Sequence, residues 1–306
     1  MSENNTKPTN FKLNDLKRER IATQCVCCGS KTLKSSSAIL MPFVAHRVFG
    51  WKPVQINDSW GLKTIRNGTA YSICNSLFCS DCSFLFLDIR FSDAELNALY
   101  DGYRNQQYTE LRETYEPGYK LRNDSLNAGV SYITEIEMFL TPHLSFPVSI
   151  LDWGGDVGKN TPFKDNNSIF DIFDVSNKPV LNGAKSVSKK TAFGTNYNLI
   201  VCSNVLEHVP YPADLILDIK NAMNKDTVLY IEVPYEDVIR VSDPDVDLSQ
   251  LKRHWHEHIN FYSENSLRNI LSICGFEIIA LRKLNASAGG NSAFIFQVAC
   301  KFGPGP

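Results

Sequence analysis

The sequence contains no long uncharged apolar run. Its first twenty residues are polar and hold no apolar segment of the length that a signal peptide needs. Elsewhere no uncharged apolar stretch approaches the ~20 residues that a membrane-spanning helix requires. We therefore expect a cytoplasmic protein with no membrane partner, and a disordered tail over residues 1–20, which have too few apolar side chains to bury.

The chain also lacks an excess of charge of one sign. Its 31 basic and 33 acidic residues give a formal net charge of -2, so no strong field attracts it to a nucleic-acid backbone or to an anionic membrane. Nucleic acid is therefore not an expected partner. With 306 residues and a hydrophobic content of 43%, the chain can hold one large domain or two modest ones around a packed core.

Nine cysteines are present, and four of them form two Cys-x-x-Cys pairs. In a reducing compartment such pairs favour metal binding over disulfides. Two thiolates from each of two tight turns make a tetrahedral four-sulfur site, which suits zinc. The alternatives are unrelated buried thiols or a redox pair. We predict a structural Zn²⁺ site in an N-terminal module over residues 21–90, with the ligands Cys25, Cys28, Cys79 and Cys82.

Two further cysteines lie close to these pairs. Cys27 and Cys74 could each replace a neighbouring ligand, or they could pack as small apolar groups. The apolar residues of 38–49, 70–78 and 84–88 predict short strands in this module. We expect so small a module to need its metal in order to fold.

Residues 91–147 are predicted to form a helical connector or lid. A capping box at Ser92-Asp-Ala-Glu95 opens its first helix, and apolar residues near helical spacing predict a second helix over 123–140. The intervening residues 101–118 are rich in tyrosine and charged groups. They are either a solvated connector or a lid over a polar ligand.

Strand and helix patterns alternate over residues 148–302. This alternation predicts an α/β fold with a doubly wound parallel sheet, whose strands lie near 148–152, 168–175, 197–203 and 228–233, with a poor candidate for the third strand at 184–193. Two later apolar runs, 276–281 and 293–299, have no helix between them. We expect them to pair as an antiparallel hairpin at the sheet edge.

A glycine-rich loop follows the first of these strands, in Leu151-Asp-Trp-Gly-Gly-Asp-Val-Gly158. The loop does not match the G-x-G-x-x-G dinucleotide pattern, and Asp156 would lie unfavourably against a pyrophosphate. A cofactor without phosphates, such as S-adenosylmethionine, meets no such objection. Asp174, at the end of the second strand, is placed to accept the hydroxyls of a ribose.

These residues and the terminal hairpin resemble those of the class I S-adenosylmethionine-dependent methyltransferases. The matching segments are the glycine loop, Phe173-Asp-Val-Ser176 and 198–208. The resemblance implies that glycines let the backbone approach the cofactor, that Asp152 orients its amino-acid end, that Asp174 binds the ribose, and that 203–206 lie beside the reactive sulfur. Asp156 and Asn198 depart from the family pattern. The implied cofactor-binding residues are Asp152, Gly154, Gly155, Gly158, Asp174, Ser203, Asn204 and Leu206.

A histidine-rich segment, His254-Trp-His-Glu-His258, follows the fifth strand. Loops at this end of a parallel sheet form the ligand crevice. A histidine there can remove a proton from a substrate, and a neighbouring carboxylate can orient it. The same residues could instead form a structural cluster or a metal site. In an extended segment, Glu257 would point away from His256 and His258.

The four-cysteine module, the methyltransferase pattern and this segment together are similar to those of the sugar C-methyltransferases that act on keto-deoxysugar nucleotides. The similarity implies catalytic roles for His256, Glu257 and His258, with His258 or Glu257 as the proton acceptor. Trp255 stands where a tyrosine is expected, and the chain stops near residue 300, so we expect the C-terminal domain of that family to be lacking.

We predict a methyltransferase acting on a small molecule, such as a sugar or nucleotide sugar in polysaccharide or natural-product biosynthesis. Transfer to carbon, oxygen or nitrogen is open at this point. The alternatives are an RNA-modifying methyltransferase and a non-catalytic protein that binds S-adenosylmethionine. A nucleic-acid-binding zinc module would call for a basic, aromatic-rich surface, and the near-neutral charge balance does not favour one.

Overall fold

The structure is a computed structural model that describes residues 13–61, 64, 67–127, 129–176, 178–243, 246–286 and 293–303. Most of the expected tail, residues 1–12, lies outside these ranges. Residues 13–20 differ from the expectation, because Leu16 is buried in a hydrophobic cluster and Arg20 forms an ion pair with Glu95. One apolar side chain and a few ionic contacts are enough to attach this segment to the protein.

The secondary structure comprises fourteen strands and ten α-helices within the described ranges. The strands are β1 Leu33–Leu40, β2 Val54–Ile56, β3 Gly68–Ala70, β4 Ile73–Cys79, β5 Leu85–Leu87, β6 Val148–Trp153, β7 Asn167–Phe173, β8 Lys185–Ser186, β9 Leu199–Ser203, β10 Val228–Pro234, β11 His254–Trp255, β12 Asn260–Phe261, β13 Phe276–Asn285 and β14 Phe294–Phe302. The helices are α1 Pro42–Phe49, α2 Asp93–Tyr100, α3 Gln106–Tyr115, α4 Tyr119–Asn127, α5 Ile133–Leu140, α6 Lys189–Gly194, α7 Pro212–Lys220, α8 Asp237–Arg240, α9 Leu248–Leu251 and α10 Glu264–Ile273.

The larger sheet has seven strands in the order β13-β14-β10-β9-β6-β7-β8. β14 runs antiparallel to both of its neighbours, and the other strand pairs are parallel. This is the Rossmann-like methyltransferase sheet that the sequence predicts, with its terminal hairpin. β6 and β9 are adjacent, so the crevice at their carboxyl ends lies where the strand order reverses, which is the usual ligand position in such sheets.

The smaller sheet combines strands from distant parts of the chain, in the order β11-β1-β4-β5-β12. β11 pairs with β1, and β12 pairs with β5. The N-terminal module predicted over 21–90 therefore shares its sheet with the first two residues of the histidine-rich segment, in β11, and with β12 just after that segment. This pairing attaches that segment to the module through main-chain hydrogen bonds.

Two predictions of local structure are wrong. Residues 38–49 were expected to form strand, but β1 ends at Leu40 and Pro42 begins α1, since proline is well tolerated in the first turn of a helix. The single helix predicted over 123–140 is divided into α4 and α5, with Gly129 between them in the left-handed region at φ 87°. The predicted capping box at Ser92 and Glu95 is confirmed.

Among the helices of the described ranges, none combines the length and the apolar content needed to cross a bilayer.

Candidate active site

The four predicted zinc ligands come together. Their sulfur atoms all lie within 4.8 Å of one another, with 3.6 Å between Cys25 and Cys82 and 3.6 Å between Cys28 and Cys79. Zinc–sulfur bonds of about 2.3 Å in a tetrahedron separate the sulfurs by about 3.8 Å. All four residues are buried. The donor set and its spacing therefore fit a closed zinc site.

Backbone geometry around this cluster follows the pattern of two metal knuckles. Gly29 and Ser83 each follow the second cysteine of a pair, and both adopt the left-handed conformation, which turns the chain tightly behind the sulfurs. Cys27 is outside the set, because its thiol donates a hydrogen bond to the Ser266 carbonyl at 3.1 Å. Cys74 is buried in a separate hydrophobic cluster. Both of these cysteines therefore pack as small buried groups.

The glycine loop begins where β6 ends. Gly154 has φ 84°, and a Cβ there would lie 2.6 Å from the Val205 side chain. A Cβ at Gly155 would lie 2.4 Å from the Asp152 carboxyl group. A side chain at either position would therefore displace its neighbours. Glycine at both positions leaves the backbone beside the crevice uncovered by side chains.

Asp152 lies under this loop with its carboxyl group buried. It accepts a hydrogen bond from the Thr161 hydroxyl. Burial raises the pKa of Asp152 to about 7, although the Thr161 hydrogen bond opposes this shift. A cation placed beside Asp152 would favour its ionised form, and the positively charged amino group of an amino-acid moiety is such a cation.

Asp174 and Asp156 are neighbours in the loop region. The Asp174 carboxylate accepts hydrogen bonds from the backbone N–H groups of Asp156 at 2.9 Å and Ser176 at 2.7 Å. Asp156 has φ 52°, a conformation that aspartate tolerates better than most residues, and its side chain forms an ion pair with Lys178 at 2.8 Å. Aspartate can therefore take the place of glycine at position 156 in this tight loop.

The loop after β9 is fixed by a buried carboxylate. The side chains of Ser203 and Asn204 donate hydrogen bonds to Glu232 Oε1 at 3.0 and 3.1 Å. Leu206 is fully buried, and its carbonyl oxygen accepts a hydrogen bond from Asn260 Nδ2 at 2.9 Å. Ser203 and Asn204 thus remain near the carboxyl end of β9, whereas the Leu206 side chain belongs to the core.

The three residues of the histidine segment have different partners. Glu257 binds Arg112 of α3 through both carboxylate oxygens, at 3.0 and 2.9 Å. Burial alone would raise the pKa of Glu257, but the positive charge of Arg112 overcomes this effect and lowers the pKa to about 2. His256 Nδ1 lies 3.5 Å from Glu116 Oε1. Residues 101–118 therefore contact the histidine segment through buried ionic groups and are not merely a solvated connector.

His258 is held by a residue that the sequence did not single out. Its Nδ1 lies 3.0 Å from Glu236 Oε1. Burial lowers the pKa of His258, but the hydrogen bond to Glu236 and the nearby negative charges outweigh burial, so the pKa is raised above its ordinary value. Glu236 lies two residues after the end of β10, at the carboxyl end of the sheet, and this position is the one sequence signal that could have found it.

A second polar cluster adjoins His258. The rings of His208 and His258 are 4.7 Å apart, and possible ligand atoms of Glu207, His208 and His258 lie within 4.8 Å of one another. Glu207 is 1% exposed, and burial raises its pKa to about 7. Burial and the charge of His258 lower the pKa of His208 to about 3. These three residues could hold a cation; within the described chain His254 and His256 are not part of such a group.

A cavity of about 300 Å³ lies beside the histidine segment. It brings together all three predicted catalytic residues. Its lining residues are Arg122, Glu236, Lys252, His256, Glu257, His258 and Phe261. The site therefore combines two histidines, two carboxylates and two cations from separate parts of the chain.

The chain matches the family model described as a methyltransferase domain over residues 103–281. This match covers more than half of the sequence. The chain belongs to that methyltransferase family, and the enzyme is S-adenosylmethionine-dependent. A search of curated proteins finds no significant match.

Several solved structures are similar to this chain at low sequence identity. One is 1,6-didemethyltoxoflavin N1-methyltransferase from Burkholderia thailandensis, with 13% identity over 64% of this chain and 86% of that chain and a TM-score of 0.44. Another is a methyltransferase from Anabaena variabilis, with 12% identity, coverage of 56% and 83%, and a TM-score of 0.42. A third is the glycopeptide N-methyltransferase MtfA complexed with S-adenosylmethionine, with 12% identity, coverage of 57% and 95%, and a TM-score of 0.43.

Proposed function

We propose that this enzyme methylates a carbon or oxygen atom of a sugar or nucleotide sugar, with His258 as the proton acceptor. The observation that carries the proposal is the cavity lined by His256, Glu257 and His258. The resemblance of this segment to that of sugar C-methyltransferases supports the choice of acceptor. The glycine loop, with Asp152 and Asp174, is the proposed cofactor site.

The contacts of the three residues favour His258 as the base. Glu257 is bound by Arg112, and its low pKa of about 2 makes it a poor proton acceptor near neutral pH. His258 Nδ1–H donates a hydrogen bond to the Glu236 carboxylate, so Nε2 carries the free lone pair. Glu236 also stabilises the imidazolium that forms when Nε2 takes a proton. Glu257 and His256 then position the segment and the acceptor.

The proposed reaction is a direct displacement. Bound S-adenosylmethionine supplies a methyl group made electrophilic by its positively charged sulfur. On the acceptor, the O–H or C–H bond breaks, its proton passes to His258 Nε2, and its electron pair would form the new bond to the methyl carbon as the methyl–sulfur bond breaks and its electron pair returns to sulfur. The protein contributes alignment of the two reactants and removal of this proton.

We also propose that the four-cysteine cluster holds a structural Zn²⁺. Its support is the close spacing and complete burial of four sulfurs. A four-sulfur site leaves no coordination position for a substrate. Zinc would therefore hold the turns before β1 and after β4 together, and through the shared small sheet it would support the histidine segment.

His258→Ala tests the assignment of the base. We expect kcat to fall by roughly 100-fold or more, the usual contribution of a positioned base, while calorimetric affinity for S-adenosylhomocysteine is retained. His254→Ala is the matched control, because His254 is exposed and does not line the cavity. Methyl transfer is followed by mass spectrometry with a panel of sugars and nucleotide sugars. Full activity of His258→Ala on the substrate found would refute the assignment.

A further inference from the structure

We infer that Lys252 and Arg122 form a binding site for an anionic group of the acceptor, a phosphate or a carboxylate. The inference rests on the proposed function, because it takes the cavity beside His258 as the acceptor site. Both cations line that cavity, and neither belongs to the residues that hold the histidine segment in place. They come from α4 and from the residue after α9, so the chain brings together two cations that are distant in sequence.

Lys252 is anchored for such a role by two aromatic rings. Its Nζ lies 4.3 Å from the ring centre of Phe261 and 5.1 Å from that of Trp255. These contacts restrict the side chain and remove part of its hydration. Burial accordingly lowers the pKa of Lys252, although the negative charge of Glu236 opposes this effect. An ammonium group that has lost water in this way gains more from an anionic ligand than a fully solvated one does.

Lys252 and Arg122 differ from the other charged groups around the cavity in having no direct ion-pair partner among the described residues, although the charge of Glu236 acts on Lys252. Glu257 shares Arg112 with Glu116, at 2.9 and 2.8 Å, and Glu236 Oε1 lies 3.0 Å from His258 Nδ1. Among the described residues, no carboxylate lies within ion-pair distance of Lys252 or Arg122. Both acidic groups of the lining are thus held by other side chains, and an acceptor that brings its own negative charge would give Lys252 and Arg122 the direct ionic partner that they lack.

Phosphate and carboxylate share the chemistry that this site would recognise. Both present oxygen atoms that accept charge-assisted hydrogen bonds from lysine and arginine. The cavity of about 300 Å³ can take such a group together with part of a sugar ring. The anionic group would fix one end of the acceptor and leave a hydroxyl or an acidic carbon to face His258.

Calorimetry at low ionic strength tests this inference without requiring turnover. The probes are glucose 1-phosphate, glucuronate and, as the uncharged control, glucose, each titrated into the full chain saturated with S-adenosylhomocysteine. Lys252→Met keeps the aliphatic stem over Trp255 and Phe261 but removes the charge of the ammonium group. Arg122→Gln keeps a polar side chain but removes the charge of the guanidinium. Lys34→Met is the matched control, since Lys34 lies on β1 and does not line the cavity.

We expect one or both charged probes to bind at least about tenfold more tightly than glucose. Lys252→Met should weaken that binding about tenfold or more, Arg122→Gln should weaken it less because Arg122 is more exposed, and Lys34→Met should leave it unchanged. The probe that binds more tightly identifies phosphate or carboxylate. Equal binding of glucose and the charged probes, no binding of either charged probe, or unchanged affinity in Lys252→Met would overturn the inference. Failure of the chain to bind S-adenosylhomocysteine would instead contradict the proposed function.

Discussion

The four-cysteine cluster and the histidine segment are both assembled from distant parts of the chain, but they differ in how their polar groups are satisfied. Each cysteine sulfur faces the other three, and all four are buried. His256, Glu257 and His258 of the histidine segment instead contact different partners, and the segment borders a cavity. The first arrangement is closed, as a structural metal site must be, whereas the second leaves room for a substrate.

Removal of one cysteine ligand should have the largest effect. Cys79→Ala deletes a quarter of the donor set, and structural zinc is worth about 10–16 kcal/mol of folding free energy in small peptides. We expect loss of bound zinc, measured by atomic absorption, and loss of the near-ultraviolet circular dichroism of the aromatic residues packed around the small sheet. Cys27→Ala is the control and should keep its metal. One full equivalent of zinc in Cys79→Ala would contradict the four-sulfur site.

The ionic contacts of the histidine segment can be tested at Arg112. Arg112→Met keeps most of the side-chain volume but removes the guanidinium that Glu257 and Glu116 share, in a site where Arg112 is only 2% exposed. Breaking a buried pair in this way costs about 3–5 kcal/mol, measured as the loss in free energy of unfolding by urea. Arg268→Met, which breaks an exposed pair with Glu264, should cost at most about 1 kcal/mol.

The difference in unfolding free energy between the wild type and Arg112→Met should change with pH in a definite direction. Because the pKa of Glu257 is lowered in the folded protein to about 2, the pair stabilises the fold at pH values above the ordinary carboxyl pKa of about 4.3. That stabilisation is lost as the pH falls from about 4.3 towards 2. The stability gap between the wild type and Arg112→Met should therefore narrow over this window. A gap that stays constant would show that packing, not charge, explains the loss.

Substitution of Glu236 should have a smaller effect, on the pH dependence of the rate. The hydrogen bond from His258 to Glu236 raises the pKa of His258, and a base must be unprotonated to act. The rate should therefore fall as the pH drops below the pKa of His258, and that pKa lies above the ordinary histidine value. Glu236→Gln keeps a hydrogen-bond acceptor but removes the charge, so the acid limb of the kcat profile should shift to lower pH. An unshifted limb would mean that His258 is not the group that titrates.

Local patterns predicted much of the fold. The glycine loop before Asp156, the capping box at Ser92 and the terminal hairpin each depend on residues close together in sequence, and each lies where it was expected. The spacing of two Cys-x-x-Cys pairs likewise predicted which sulfurs come together.

The partners of the histidine segment could not be predicted in this way. Arg112 and Glu257 are 145 residues apart, and no periodicity links them. β11 joins the small sheet through two residues only, too few to show a strand pattern. The valines and phenylalanines of α1 suggested a strand, because they have high strand propensity. That propensity takes no account of Pro42, which favours the start of a helix at this position. Long-range pairing therefore determines the site more than local sequence does.

The central claim is that the glycine loop and Asp174 bind S-adenosylmethionine. Titration of S-adenosylhomocysteine into the wild type and into Asp174→Asn by calorimetry tests it most directly, with exposed Asp165→Asn as the control. We expect the wild type and the control to bind one equivalent with equal affinity. Asp174→Asn should bind at least about tenfold more weakly, because a charged acceptor for the ribose hydroxyls is lost. Equal affinity in Asp174→Asn, or no binding by the wild type, would contradict the account.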